Sequence, residues 1–94
     1  MAEELELAAV LHALGDPVRL ALVREMVDGG ESACAPAGLT VPRSTLSNHW
    51  RILREAGLTT TRQDGKNRVM SLRRAELDAR FPGLLAAVLG GLSG

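Results

Sequence analysis

Aromatic side chains are scarce in this chain: Trp50 and Phe81 are the only two, and there is no tyrosine. A core with so few rings must be filled by Leu, Val, Ala, Ile and Met, which suits packed helices better than a sandwich of strands. The single cysteine, Cys34, excludes a disulfide within the chain and fits a reducing cytoplasm. Long apolar runs are missing too. The longest clear one, Leu84 to Leu89, is far too short to span a bilayer, so no membrane partner is expected. The acidic N-terminal stretch has no basic segment ahead of an apolar one, so it does not read as a signal peptide. Ser/His/Asp and Cys/His arrangements, clefts with paired carboxylates and phosphate-cradling glycine loops are all absent, and an enzyme is not expected.

Net charge is absent as well, because eleven basic residues balance eleven acidic ones. Their distribution is uneven. Residues 43–74 hold eight of the eleven basic side chains, against only Glu55 and Asp64. Residues 1–42 are acidic, with Arg19 and Arg24 against seven carboxylates. Positive charge gathered on one segment is the footprint of a polyanion site, whatever the total.

Ninety-four residues make one domain, spanning 1–94. A chain of this size buries only about 60–70% of its unfolded surface, so a partner subunit would help it. Leu5, Ala8, Ala9 and Leu11 recur at helical spacing over Glu3 to Leu14, and Gly15 ends that segment. Asp16 caps a second helix, with Pro17 at its first position and Gly29-Gly30 after it. Residues 31–42 read as a short, irregular third helix that Ser32 could cap, broken by Pro36, Gly38 and Pro42. Ser44 is placed as N-cap of a helix over 44–56, with Gly57 as its stop and Leu46, Trp50 and Leu53 as its buried stripe. Residues 58–72, rich in Thr and Val around Asp64-Gly65, read as a hairpin. Helix returns over 73–90, with Phe81-Pro82 as a break and Gly90, Gly91 and Gly94 as a frayed tail.

Three pieces now resemble the ArsR/SmtB family of winged helix-turn-helix repressors. They are Leu14-Gly15-Asp16-Pro17-Val18-Arg19-Leu20, Ser44-Thr45-Leu46-Ser47-Asn48-His49-Trp50 and Leu53-Arg54-Glu55-Ala56-Gly57-Leu58. The stretch Arg62-Gln63-Asp64-Gly65-Lys66-Asn67-Arg68-Val69 fits the family's wing. Trp50 stands where the family usually has Leu, and Met70 and Ser71 replace its second-strand aromatics.

The resemblance implies a mainly α fold with a small β-hairpin, and a homodimeric repressor on double-stranded DNA with an inverted-repeat operator. The helix over 44–56 would enter the major groove and the wing over 58–72 would grip the flanking backbone. That assigns Arg43, Ser44, Thr45, Ser47, Asn48, His49, Arg51 and Arg54 of the helix, with Arg62, Lys66, Asn67 and Arg68 of the wing, to DNA. Asn48 has the groups to pair with adenine, and Thr45 can touch a thymine methyl. His49 would pack or face phosphate. The dimer would form through the terminal helices, 3–14 and 73–90, with Leu5, Ala8, Leu11, His12, Leu84, Leu85, Val88 and Leu89 between the copies.

Many members of that family sense metals. The third-helix sensor needs paired thiolates, and Cys34 is alone; the last-helix sensor needs histidines, and Glu76 and Asp78 have none beside them. No metal and no cofactor are therefore expected. Two alternatives remain open. One is a protein-interaction module that reuses the winged helix, and the other is a metal- or redox-responsive repressor that uses Cys34.

Overall fold

A computed structural model describes residues 5–29, 31–33 and 41–93. In chain order these form α1 (Leu7–Leu14), α2 (Pro17–Gly29), β1 (Glu31–Ala33), α3 (Arg43–Glu55), β2 (Thr59–Asp64), β3 (Asn67–Leu72), α4 (Arg74–Arg80) and α5 (Leu84–Ser93). The mainly helical winged helix-turn-helix class expected from the sequence is the one observed.

Asp16 opens α2 as its spacing predicts. Its Oδ2 accepts hydrogen bonds from the backbone N–H of Val18 at 2.9 Å and of Arg19 at 3.2 Å. Two donors that a helix start leaves without partners are thereby satisfied.

At α3 the sequence reading is off by two residues. Pro42, not Ser44, is the N-cap, and its extended backbone leads the chain into the helix without a side-chain cap. The Pro42 carbonyl accepts from the Leu46 N–H at 2.9 Å, so the helix starts at Arg43 and leaves Ser44 exposed in its first turn. Leu46, Trp50 and Leu53 form the buried stripe as expected. Gly57 ends the helix with a φ of 86°. The N–H of Gly57 reaches the Arg54 carbonyl and that of Leu58 the Leu53 carbonyl, both at 3.0 Å, the paired bonds of a Schellman stop.

The expected third helix is corrected in its first part. Glu31–Ala33, including the proposed cap Ser32, is a strand that pairs antiparallel with β3, Ser32 opposite Met70. Once β3 has formed, its second edge presents unpaired backbone groups, and this short segment satisfies them. Cys34, Pro36 and Gly38 lie outside the described residues. Among the described residues the sheet therefore has three strands in the order β1-β3-β2, where a two-stranded hairpin was expected.

The turn of the hairpin also shifts by one residue. Asp64 pairs with Asn67, so Gly65-Lys66 is the two-residue loop. Gly65 has a φ of 63° and Lys66 does not have a positive φ, the signs a Gly-first hairpin turn requires. The tail is corrected too. Instead of fraying at Gly90, α5 continues through Gly90 and Gly91 to Ser93, because each further residue of an established helix adds a backbone hydrogen bond.

The core joins all the helices to the sheet. Val10, Leu22, Val23, Met26, Leu53, Leu58 and Leu77 are fully buried, with Met70 and Leu85 beside them. Trp50, 3% exposed, fills the site where a smaller Leu was the family's expectation. One buried hydroxyl, Thr59 Oγ1, has no hydrogen-bond partner among the described residues.

Candidate nucleic-acid interface

The stripe of Leu46, Trp50 and Leu53 fixes the rotation of α3 against the core. Its opposite face is therefore presented to solvent, and Arg43, Ser44, Thr45, Ser47, Asn48, Arg51 and Arg54 are all exposed. The side chains near the N-terminal end of this face are mostly short and polar, which lets a partner's surface approach the backbone. On the same face Arg51 Nη2 donates to Asn48 Oδ1, and Arg51 Nη1 lies 3.5 Å from Glu55 Oε1.

The wing has two halves. Near the core, Thr59 and Met70 are buried. Beyond Arg62 and Val69 the hairpin is exposed on both faces, so Arg62, Gln63, Lys66, Asn67 and Arg68 stand on a projecting arm. Gln63 Nε2 donates to the Gly65 carbonyl at 3.0 Å and braces the tip. Arg62 lies 3.9 Å from Asp64, an exposed pair worth little.

Behind α3 sits a polar joint. Arg19 is only 8% exposed. Its Nε donates to the Ala13 carbonyl at 2.6 Å and its Nη2 to the His12 carbonyl at 3.4 Å, so the cation sits at the negative end of α1. Its Nη1 lies 3.1 Å from His49 Nδ1. A guanidinium only donates, so Nδ1 accepts and the ring proton is on Nε2. Asp16 Oδ2 is 3.8 Å from the same Nδ1. Burial raises the Asp16 carboxyl, but the amides of Arg19 and Val18 and the charge of Arg19 outweigh it. The net effect holds Asp16 below the ordinary value of 3.8. This joint ties α1, the start of α2 and the middle of α3 into one unit.

Residues 14–62 match the family described as a helix-turn-helix domain. Over 81 residues the chain is 40% identical to the HTH-type transcriptional regulator YceK of Bacillus subtilis, covering 83% of this chain and 81% of that one. The chain belongs to the helix-turn-helix transcriptional regulators. Its fold is that of a solved ArsR family transcriptional regulator, with a TM-score of 0.71 over 94% of this chain and 97% of that one at 19% identity. A second solved structure, the transcriptional repressor BigR from Xylella fastidiosa, is 33% identical with a TM-score of 0.61, covering 79% of this chain and 84% of that one. The family is one of regulators and not of enzymes.

In this regulator eleven of the twelve residues assigned to DNA lie exposed on α3 and the wing. His49 is the exception: its side chain is 12% exposed and faces Arg19 and Asp16. Arg19 is the residue behind this face to which sequence reading gave no role, because an arginine in an acidic segment looks like surface charge. Its spacing from the capping Asp16 was the available signal. Two further basic residues of the 43–74 segment turn away from the α3 face. Arg73 Nη1 donates to the Gly57 carbonyl at 3.1 Å, and Arg74 Nε pairs with Asp78 at 3.5 Å.

Of the residues assigned to a dimer interface, Leu5 and Leu85 are buried in this chain's own core, 6% and 3% exposed. Ala8, Leu11 and His12 are exposed, and Leu84, Val88 and Leu89 are half-buried. Among the described residues no group of three or more His, Cys, Asp or Glu side chains is placed to hold a metal ion. Cys34 lies outside the described residues. No described helix is long and apolar enough to cross a membrane.

Proposed function

We propose that this transcriptional regulator is a homodimeric repressor of one domain, 1–94, that binds an inverted-repeat operator in double-stranded DNA. The observation that carries the reading is the joint exposure of the short polar face of α3 and the basic outer half of the wing. Ser44, Thr45, Ser47 and Asn48 are suited to base edges in the major groove. Arg43, Arg51 and Arg54 flank them, and Arg62, Lys66, Asn67 and Arg68 reach the flanking backbone. His49 positions α3 from behind through Arg19. Repression follows from occupying a promoter, which requires no further chemistry.

The dimer is supported by the surface of α1. Among the described residues, Leu7 and Leu11 are the large apolar side chains left exposed, at 48% and 46%. Together with Ala8, His12, Leu84, Val88 and Leu89 they give a second copy an apolar patch. A two-fold pairing places two copies of α3 on successive major grooves, which matches an inverted repeat.

Salt dependence of binding tests the reading. A dimer that neutralises roughly 6–10 phosphates loses about 10³–10⁵ in affinity between 50 and 200 mM salt. Substituting Arg62, Lys66 and Arg68 together by Ala should flatten that dependence. Binding that ignores salt, or a wing variant with an unchanged slope, contradicts the proposal.

A further inference from the structure

The DNA-facing side of α3 carries an internal hydrogen bond that restricts what it can read. Asn48 and Arg51 are both exposed, one helical turn apart, and Arg51 Nη2 donates to Asn48 Oδ1. A guanidinium has no acceptor, so the amide orientation of Asn48 is settled: its oxygen faces Arg51 and its NH₂ faces away. Glu55 holds Arg51 from the other side, with both carboxylate oxygens 3.5 Å from Nη1. Within the row Asn48–Arg51–Glu55, the pair Asn48–Arg51 therefore presents mainly donors: the Asn48 NH₂ and the remaining guanidinium N–H groups.

Adenine in the major groove offers one acceptor, N7, and one donor, N6–H. An asparagine that pairs with it in two places must offer its own oxygen to N6–H; here one of that oxygen's two lone pairs is taken by Arg51, and the N6–H donor must approach the other beside the guanidinium charge, which disfavours it. Guanine instead offers two adjacent acceptors, N7 and O6. We propose that Asn48 and Arg51 act as one donor unit that selects guanine in each half-site, with Glu55 as the residue that positions it. The proposal rests on the reading of α3 as the helix that enters the groove. It replaces the adenine pairing that the asparagine alone suggests.

The test is selection of bound duplexes from a random pool by the wild-type dimer and by Asn48→Ala, Arg51→Met and Glu55→Gln variants, each with its thermal midpoint measured. Asn48→Ala identifies the position that the unit reads. The wild type should enrich guanine there by roughly 5- to 150-fold over the other bases. Arg51→Met frees the Asn48 oxygen, so the preference at that one position should move from guanine to adenine. Glu55→Gln should weaken the guanine preference without moving the rest of the motif. All three residues are exposed, so the thermal midpoints should stay close to wild type. Adenine selected by the wild type at that position overturns the proposal and leaves the DNA reading intact. So does an Asn48→Ala variant whose motif is unchanged while its affinity falls, which would make Asn48 a backbone contact. A wild type that enriches no sequence at all overturns both.

Discussion

Arg19 offers the sharpest test of how α3 is held. Replacing it by Ala removes two close hydrogen bonds from a buried cation, to the Ala13 carbonyl at 2.6 Å and to His49 Nδ1 at 3.1 Å. Bonds to charged groups contribute about 1.5–3 kcal/mol each. The third contact, at 3.4 Å to the His12 carbonyl, is long and adds little. Water reaching the freed carbonyls recovers part of the loss, which leaves a net cost of about 3 kcal/mol. For a domain of this size that corresponds to a fall in Tm of roughly 12–24 °C. Trp50 is the chain's single tryptophan and is 3% exposed, so its fluorescence follows unfolding directly. Arg19→Lys keeps the charge but loses the fork geometry, and should restore about half of the lost stability. Arg54→Ala, on the exposed face of the same unit, should stay within about 0.5 kcal/mol of wild type. An Arg19→Ala protein that melts with the wild type, or an Arg54→Ala protein that loses as much, refutes the joint.

The remaining predictions concern the cap, the helix stop, the wing tip and the dimer face. Asp16→Asn keeps a cap acceptor but loses the charge. Because folding lowers the Asp16 pKa, its charge stabilises the protein above the ordinary carboxylate value and stops doing so as pH falls through the lower folded value. The stability gap between wild type and Asp16→Asn should therefore be constant from neutral pH down to about pH 5 and close below 3.8, as followed by urea titrations. A gap that widens on acidification contradicts that origin. Gly57→Ala should cost about 2 kcal/mol or more, since its φ is 86° and a Cβ would lie 2.7 Å from Leu5 Cδ2; Gly65→Ala, in open space at a φ of 63°, should cost only about 1–2 kcal/mol. Equal losses in melting experiments would show that the Leu5 contact does not matter. Leu11→Glu should convert a dimer to a folded species of 10.0 kDa in sedimentation equilibrium, with operator affinity falling alongside; an unchanged mass rules out the α1 surface as the interface.

Elements whose signals are local could be read before the structure was known. Asp16-Pro17 announces the start of α2, the spacing of Leu46, Trp50 and Leu53 rotates α3, and Gly57 stops it with a left-handed backbone that other residues adopt only at a cost. Elements that depend on distant partners could not. Glu31–Ala33 has no strong strand character of its own and becomes β1 because β3 has an edge to offer. Ser44 has the chemistry of a cap, yet Pro42 has the backbone geometry, and the backbone decided. At the candidate interface, exposure followed from the helical period, so most of the assigned residues stand where expected. His49 does not, because its partner Arg19 lies 30 positions away in sequence. The Asn48–Arg51 bond needed side-chain orientation, which spacing alone does not supply.

Selection from a random duplex pool, run in parallel on the wild type and a Ser47→Ala/Asn48→Ala variant, tests most directly whether the exposed face of α3 reads DNA. The predicted result is a two-fold symmetric motif for the wild type, with half-sites centred about one helical turn, roughly 10–10.5 base pairs, apart. The variant should lose positions of that motif while keeping salt-sensitive, sequence-independent binding through the wing. A wild type that enriches no motif, or a variant that enriches the same one, contradicts the account.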